Sequence, residues 1–285
     1  MKILITGASG RLGKRLRGSL GSEHELILIS HALIDSPGTE NYTATLDNHS
    51  LLTKIMSEER PDAIIHLSAL VGPDCESNES LAKKINTEET GILAELATKH
   101  KIKKFIFAST AAVYRQHALR STSEIDNVDP QTIYAKTKLA AEKTLANIAK
   151  TASTQFVVLR IFNIYGPDFE DSLINKLLKS SREQPVTLLG PDNCYRDYVH
   201  VDDVVAAIVN VLQTKLDTNF SLMNIASGVA TSNTELVEAL KLHGATPYFT
   251  TKSCDLSVLW ADISHAREII NFKPVKSLGL KAGRL

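Results

Sequence analysis

Five runs of aliphatic and β-branched residues punctuate the chain up to Phe162: KILIT (2–6), LILIS (26–30), AIIHLSA (63–69), KFIFAST (104–110) and FVVLRIF (156–162). Between them, apolar residues recur at helical spacing near 11–20, 50–59, 79–99 and 131–150. Strands that are apolar almost throughout are covered on both faces, and their alternation with helices predicts parallel neighbours joined by right-handed crossovers. The expected fold class is α/β, a doubly wound parallel sheet of the Rossmann type. Its ligands should lie beyond the carboxyl ends of the strands.

After Asn163 the pattern loosens. YGPDFEDS (165–172) is turn-rich and leads into a helix, LINKLLKSS, and a short strand, VTLLG. A helix is predicted over 201–213, a strand over 221–226 and a helix near 232–242. The expected organisation is a dinucleotide-binding domain over 1–163, to which 201–226 returns, and a smaller C-terminal substrate lobe over 164–285. No internal repeat or low-complexity linker separates them.

Composition narrows the function classes. Lys+Arg and Asp+Glu both number 32, so the formal net charge is zero and there is no broad electrostatic reason to expect nucleic acid or an anionic membrane as partner. The apolar run in MKILITGASG is too short for a signal-peptide core, and no later run is long enough to span a bilayer; a cytoplasmic location is expected. Cys75, Cys194 and Cys254 are odd in number and widely spaced, which suits neither a disulfide framework nor paired metal ligands. The nine histidines are scattered, with no HExxH-like grouping, so no metal is expected.

Two motifs carry chemistry. Strand KILIT runs into Thr6-Gly7-Ala8-Ser9-Gly10-Arg11-Leu12-Gly13 and then a helix. In this spacing Gly7 permits the tight turn, Gly10 lets backbone approach a pyrophosphate, and Gly13 allows close helix–strand packing, with the helix N-terminus facing the phosphates. NAD-binding folds usually add an acid at the end of the second strand, on the ribose 2′-OH. Here that strand ends Ser30-His31, and the first acid afterwards is Asp35. With Arg11 and His31 near a 2′-phosphate, NADP is expected at least as readily as NAD. The second motif is IYAKTKLAAEK, which sets Tyr134 and Lys138 one helical turn apart. Alone, such a pair more often decorates a solvated helix face than forms a reaction centre.

Together these residues resemble the extended short-chain dehydrogenase/reductase family, which contains nucleotide-sugar epimerases, dehydratases and 4-ketoreductases, and the resemblance spans nearly the whole chain. TGASGRLG is similar to the family's phosphate loop, which implies cofactor contacts from Ser9, Arg11 and Leu12 beside the glycines. Asp47-Asn48 stands where the family has an adenine-contacting acid. Leu67, Ser68 and Ala69, after His66, resemble the segment that lines the cofactor, and Asn86 the asparagine that braces it. FASTAAVY (107–114) implies Thr110 as the catalytic hydroxyl, and Glu124, Pro130, Tyr134, Lys138 and Glu142 fit the pattern around the catalytic tyrosine and lysine. Asn163 in LRIFNIYGP and Arg196 in YRDYVHVDDV match residues that contact a substrate diphosphate. A homodimer through helices near 80–99 and 131–150 is also implied.

The resemblance implies that hydride moves between nicotinamide and a sugar carbon while Tyr134 gives or takes the hydroxyl proton. Lys138 and an oxidised nicotinamide are expected to lower the tyrosine pKa. Three readings follow. A 4-keto-6-deoxysugar nucleotide reductase is preferred, because the chain is short and lacks the ribose acid. A nucleotide-sugar 4-epimerase with bound NAD is the alternative, and a non-catalytic dinucleotide sensor the third. Ala111-Ala112-Val113 after Thr110 disfavours a dehydratase, which would carry an Asp-Glu pair there. Arg115 replaces the glycine usual after the Val-Tyr pair.

Overall fold

The fold was obtained as a computed structural model, which describes residues 1–34, 39–115 and 120–276. Asp35 and part of the loop around 115–125 lie outside the described residues. By internal contacts the chain divides into two compact units. The first comprises Met1–Val113, Asp129–Arg160 and Ile208–Met223; the second comprises Tyr114–Val128, Ile161–Ala207 and the described part of Asn224–Leu285.

In chain order the elements of the first half are β1 (Lys2–Thr6), α1 (Arg11–Leu20), β2 (Glu25–Ser30), β3 (Glu40–Thr43), α2 (His49–Glu59), β4 (Ala63–His66), α3 (Gly72–Ser77), α4 (Glu79–Lys83), α5 (Glu89–Lys99), β5 (Lys104–Thr110), α6 (Ile133–Ala149) and β6 (Gln155–Ile161). There follow β7 (Asn163–Tyr165), α7 (Leu173–Lys179), β8 (Val186–Leu189), β9 (Cys194–Arg196), β10 (Tyr198–His200), α8 (Val201–Gln213), β11 (Phe220–Ile225), β12 (Thr231–Ser232), α9 (Asn233–Leu242), β13 (Phe249–Lys252), β14 (Ser257–Leu259) and α10 (Ser264–Ile270).

The main sheet has seven strands in the order β3-β2-β1-β4-β5-β6-β11. The pairings from β3 across to β5 are parallel. The strand order reverses at β1, so the crevice between the carboxyl ends of β1 and β4 is the ligand position of a doubly wound sheet. Burial explains the unbroken apolar runs: Ile3, Leu4, Ile5, Ile64, Ile65 and Phe105 have no exposed surface. Phe105, Phe107 and Phe156 from the sheet pack with Leu93 and Leu145 from the covering helices into one core. The second unit has its own smaller core of Ile174, Leu177, Leu188, Leu236 and Leu240. Its short strands form three separate sheets, β7 with β10, β8 with β13, and β12-β9-β14.

Four local features differ from the sequence pattern or lie outside it. The run AIIHLSA leaves the sheet after His66, since Leu67–Ala69 turn away at the carboxyl edge instead of pairing. The single helix over 79–99 is interrupted: α4 passes through a π-helical turn, Lys84–Glu88, into α5. A wide turn of this kind often marks a functional position, and it carries the fully buried Asn86 inward. The edge strand β3, ENYT, has no alternating apolar pattern and went unpredicted. Lys104, the charged residue that opens the run KFIFAST, is buried. Its ammonium donates to the carbonyls of Val211 and Thr214, both at 2.6 Å, closing the carboxyl end of α8, and burial lowers its pKa.

Candidate active site

The phosphate loop is built by glycines at two places where no other residue fits. Gly7 has φ +68°, and a Cβ there would stand 2.7 Å from the Ser68 amide nitrogen. A Cβ on Gly13 would meet the Gly7 carbonyl at 2.6 Å and the Ala8 carbonyl at 2.8 Å. Gly10 caps α1 without a side chain, and the first turn of the helix carries no acid. Its free N–H groups and positive dipole end therefore face outward for an anion. Gly13→Ala is expected to force helix and loop apart, with a stability loss of ~1–3 kcal/mol. Co-purifying dinucleotide should be lost as well. Urea melts and the absorbance of released nucleotide measure both, and an unchanged variant would refute the close-packing argument.

Beside the loop lies a cavity of about 550 Å³. Of the residues anticipated for a cofactor, Gly7, Ser9, Gly10, His31, Asp47, Leu67, Ser68 and Ala69 line it. Arg11, Leu12, Gly13, Asn48 and Asn86 are not in its lining, and neither are Tyr134 and Lys138, which were also anticipated at the cofactor. Asn48 caps α2, its side chain accepting from the Leu51 N–H at 3.2 Å. Sequence reading missed Thr45, Leu70, Lys84 and Glu89, which also line the cavity. Thr45 and Lys84 grip Asp47, by a hydroxyl at 2.5 Å and an ammonium at 3.1 Å. The Thr45 hydrogen bond, then the Lys84 ammonium, hold the Asp47 carboxyl below its ordinary range. Asp47 is anticipated by the resemblance; the Lys84 ammonium that holds it, 37 residues away in the chain, is not. The chain fits a dinucleotide: glycines leave a cradle that a Cβ would fill, and the cavity opens from it.

Asn86 links this cavity to the helix of the tyrosine. Its Oδ1 accepts from the Leu70 N–H at 2.7 Å, and its Nδ2 donates to the Leu70 carbonyl at 3.0 Å and to Thr137 Oγ1 at 3.1 Å. Thr137 in turn donates to the Tyr134 carbonyl at 2.9 Å. The amino end of α6 is held twice over. Thr132 accepts from the Ala135 N–H, and the Glu76 carboxylate accepts from the N–H groups of Ile133 and Tyr134, each at 3.1 Å. Glu76 reaches α6 from α3, so only the tertiary structure shows its role.

Lys138 is buried, with its ammonium 3.9 Å from the centre of the Phe107 ring. Phe107 stacks on His66 at 5.6 Å. His66 is enclosed between Thr6 and Thr90, its two ring nitrogens 2.6 and 2.9 Å from their hydroxyls, and burial pushes its pKa down to about 3. The stack is therefore neutral at His66. One turn beyond Lys138, the buried Glu142 carboxylate takes the Ser109 hydroxyl and a fork of Arg160 contacts, the shortest at 2.6 Å. This group joins β5, α6 and β6 and fixes the rotation of the helix.

Thr110 ends β5 on a short helical turn, Ala111–Val113, and its oxygen accepts from the Ala112 N–H at 3.1 Å. The hydroxyl proton remains for an outside acceptor. The protein's own side chains set the starting point from which a bound oxidised nicotinamide would lower the tyrosine pKa. Burial pushes the Tyr134 phenol up to about 12, and burial likewise brings the Lys138 ammonium down to about 7, opposed by Glu142. Burial disfavours the charged form of each group, which raises the phenol and lowers the ammonium.

In the second unit, the Asn163 side chain donates to the Asp197 carbonyl at 2.8 Å. Arg196 donates from Nη1 to the carbonyls of Tyr195 and Ser257 and from Nη2 to the Ser257 hydroxyl at 2.8 Å. Asp197 is fully buried and accepts from the N–H groups of Ser227, Gly228 and Ala261. His200 packs edge-on against Tyr165. Among the described residues, no group of three or more His, Cys, Asp or Glu side chains has the arrangement to hold a metal. Among the same residues no helix is long and apolar enough to cross a membrane.

The sequence model of the NAD dependent epimerase/dehydratase family matches residues 3–226. The chain belongs to that family. It is an enzyme of the extended short-chain dehydrogenase/reductase type. A Bacillus subtilis (strain 168) protein named as an uncharacterized UDP-glucose epimerase, YtcB, is 30% identical over 98% of this chain and 94% of its own length. The UDP-glucose 4-epimerase of Lactobacillus helveticus is 28% identical over 96% of this chain and 92% of its own. Among solved structures, the UDP-glucuronic acid 4-epimerase from Bacillus cereus in complex with UDP-glucuronic acid and NAD superposes with a TM-score of 0.84 at 26% identity, covering 98% of this chain and 95% of that one. These relatives favour the epimerase alternative over the preferred ketoreductase. Shortness of chain and the missing ribose acid, on which the reductase reading rested, are poor guides when relatives named as epimerases align over almost their full length. Family and neighbours also favour NAD over NADP.

Proposed function

We propose that this family member is a UDP-sugar 4-epimerase working with NAD. The observation that carries the reading is the junction at Asn86, where one buried amide holds the cavity-lining loop and the helix of Tyr134 and Lys138 in a single hydrogen-bonded frame. The full-length likeness to 4-epimerases, together with the family's NAD dependence, supports the specific reaction.

NAD would be held by the Gly7–Gly13 loop and the Asp47 side of the cavity, and when bound it supplies the hydride acceptor and donor. Tyr134 takes the proton of the sugar 4-hydroxyl and returns it to the same oxygen once the 4-keto sugar has turned its other face toward the hydride donor. Thr110 donates its free hydroxyl proton to the reacting oxygen. Lys138 would hold the nicotinamide ribose when the cofactor is bound and would add positive charge near the phenol. Asn163 and Arg196 are assigned to the substrate diphosphate, and the second unit to substrate recognition. A homodimer through α5 and α6 accompanies this reading, and a light-scattering mass tests it.

Purified protein denatured without added nucleotide is expected to release about one NAD per chain. The native protein should interconvert UDP-glucose and its 4-epimer with no added cofactor, followed by NMR. An empty protein that instead consumes NADPH with a 4-keto-sugar nucleotide would restore the ketoreductase.

A further inference from the structure

Cys194 and Cys254 lie 60 residues apart in sequence, yet the fold stitches their segments together on either side of the two thiols. At one end the Gly190 N–H donates to the Lys252 carbonyl at 2.7 Å, and at the other the Ser257 N–H donates to the Asn193 carbonyl at 2.9 Å. Between these points Gly190 turns with φ +48°, its carbonyl accepting from the N–H groups of Asn193 and Cys194. A side chain at Gly190 would overlap Cys254 Sγ and stand 3.6 Å from the Cys194 amide nitrogen. Glycine thus leaves room for the Cys254 sulfur, which donates to the Asp255 carbonyl at 3.1 Å, beside the turn that carries the Cys194 N–H. Both are free and half-buried, whereas Cys75 is fully enclosed.

We propose that Cys194 and Cys254 form a reversible disulfide that acts on Arg196. Strand β9 begins at Cys194 and ends at Arg196, and the guanidinium is held by Ser257, three residues after Cys254. Closing the bond draws the 253–256 segment onto the Gly190 turn and shifts Ser257, and with it the guanidinium. The effect on substrate rests on the assignment of Arg196 to the diphosphate. The oxidant is a low-molecular-weight disulfide such as oxidised glutathione. Cys254 as thiolate attacks it and expels one glutathione thiolate; Cys194 as thiolate then attacks the mixed disulfide and expels the second. Two thiols lose two protons and two electrons, and one glutathione disulfide becomes two thiols. Burial raises the Cys194 pKa while the Arg196 guanidinium pulls it down, so the second attack gains rate as pH rises.

The whole protein is treated with oxidised glutathione and mapped by mass spectrometry without reduction, and UDP binding is measured by calorimetry before and after. The expected results are a cross-linked peptide pair containing Cys194 and Cys254 and a UDP Kd raised about tenfold, as charge-assisted contacts are displaced. Dithiothreitol should reverse both, and Cys254→Ser should show neither while keeping full basal activity. A glutathione adduct without a cross-link, or a cross-link that leaves the UDP Kd unchanged, overturns the proposal. Reduced protein that does not bind UDP would count against the nucleotide-sugar reading instead, and the peptide map would still decide whether the thiols pair.

Discussion

Replacing Tyr134 with phenylalanine is expected to lower kcat for UDP-sugar epimerisation by about 10²- to 10⁴-fold, the usual worth of a positioned acid–base group. The amount of NAD released on denaturation should stay the same. The substitution removes only the phenolic oxygen, while α6 keeps its caps from Thr132 and Glu76 and its tie to Asn86 through Thr137. A phenol pushed up to about 12 by burial keeps its proton at neutral pH. Turnover therefore needs a nearby positive charge. Lys138, brought down to about 7, supplies less of it as pH rises through that value, and oxidised nicotinamide supplies the rest. Adding NAD to protein freed of nucleotide should accordingly release a proton and raise the phenolate absorbance. NADH should not do so, and Tyr134→Phe should lose the signal. Near-normal turnover in the phenylalanine variant would remove Tyr134 from the chemistry.

The largest stability effect is expected at Glu142. Glu142→Ala leaves the Arg160 guanidinium buried without its carboxylate, which costs about 3–5 kcal/mol when one partner of an enclosed ion pair is removed. The Ser109 hydroxyl loses its acceptor as well. Replacing both partners together, as Glu142→Leu with Arg160→Met, should recover most of the loss, because no buried charge is then left unpaired. Urea unfolding of the two single variants and the double variant measures this. A single variant within about 1 kcal/mol of the parent, the scale of an exposed pair, would show that the enclosed pair does not brace β5, α6 and β6. Activity adds a second readout. Glu142 sits one turn from Lys138, so loosening α6 should depress kcat even in protein that remains folded.

Much of this was legible in the chain itself. Apolar runs covered on both faces dictate parallel strands, and the glycine spacing after KILIT dictates a loop that only a backbone without Cβ atoms can close. Spacing along one helix likewise places Tyr134 and Lys138 on a common face. Local pattern gave nothing for β3, whose ENYT sequence is ordered by pairing with β2 and by Tyr42, which packs on the core and donates to Glu59, or for the π-helical turn that sends Asn86 inward. The choice between reductase and epimerase was not encoded in any motif read from the sequence.

What the sequence by itself determined is the backbone menu: period, turn chemistry and helix caps act over a few residues, and those residues are adjacent in the chain. What only the tertiary structure decided is the setting of each charged or polar group. Asp47 is gripped by Lys84, α6 is capped by Glu76 from another helix, Lys104 closes the end of α8, and the Cys254 sulfur sits against the Gly190 turn that leads into Cys194. Desolvation and hydrogen bonding depend on which atoms surround a group in space, and distant segments supply most of them. That is why the tyrosine–lysine pair could be found by spacing while the direction of its pKa shifts could not.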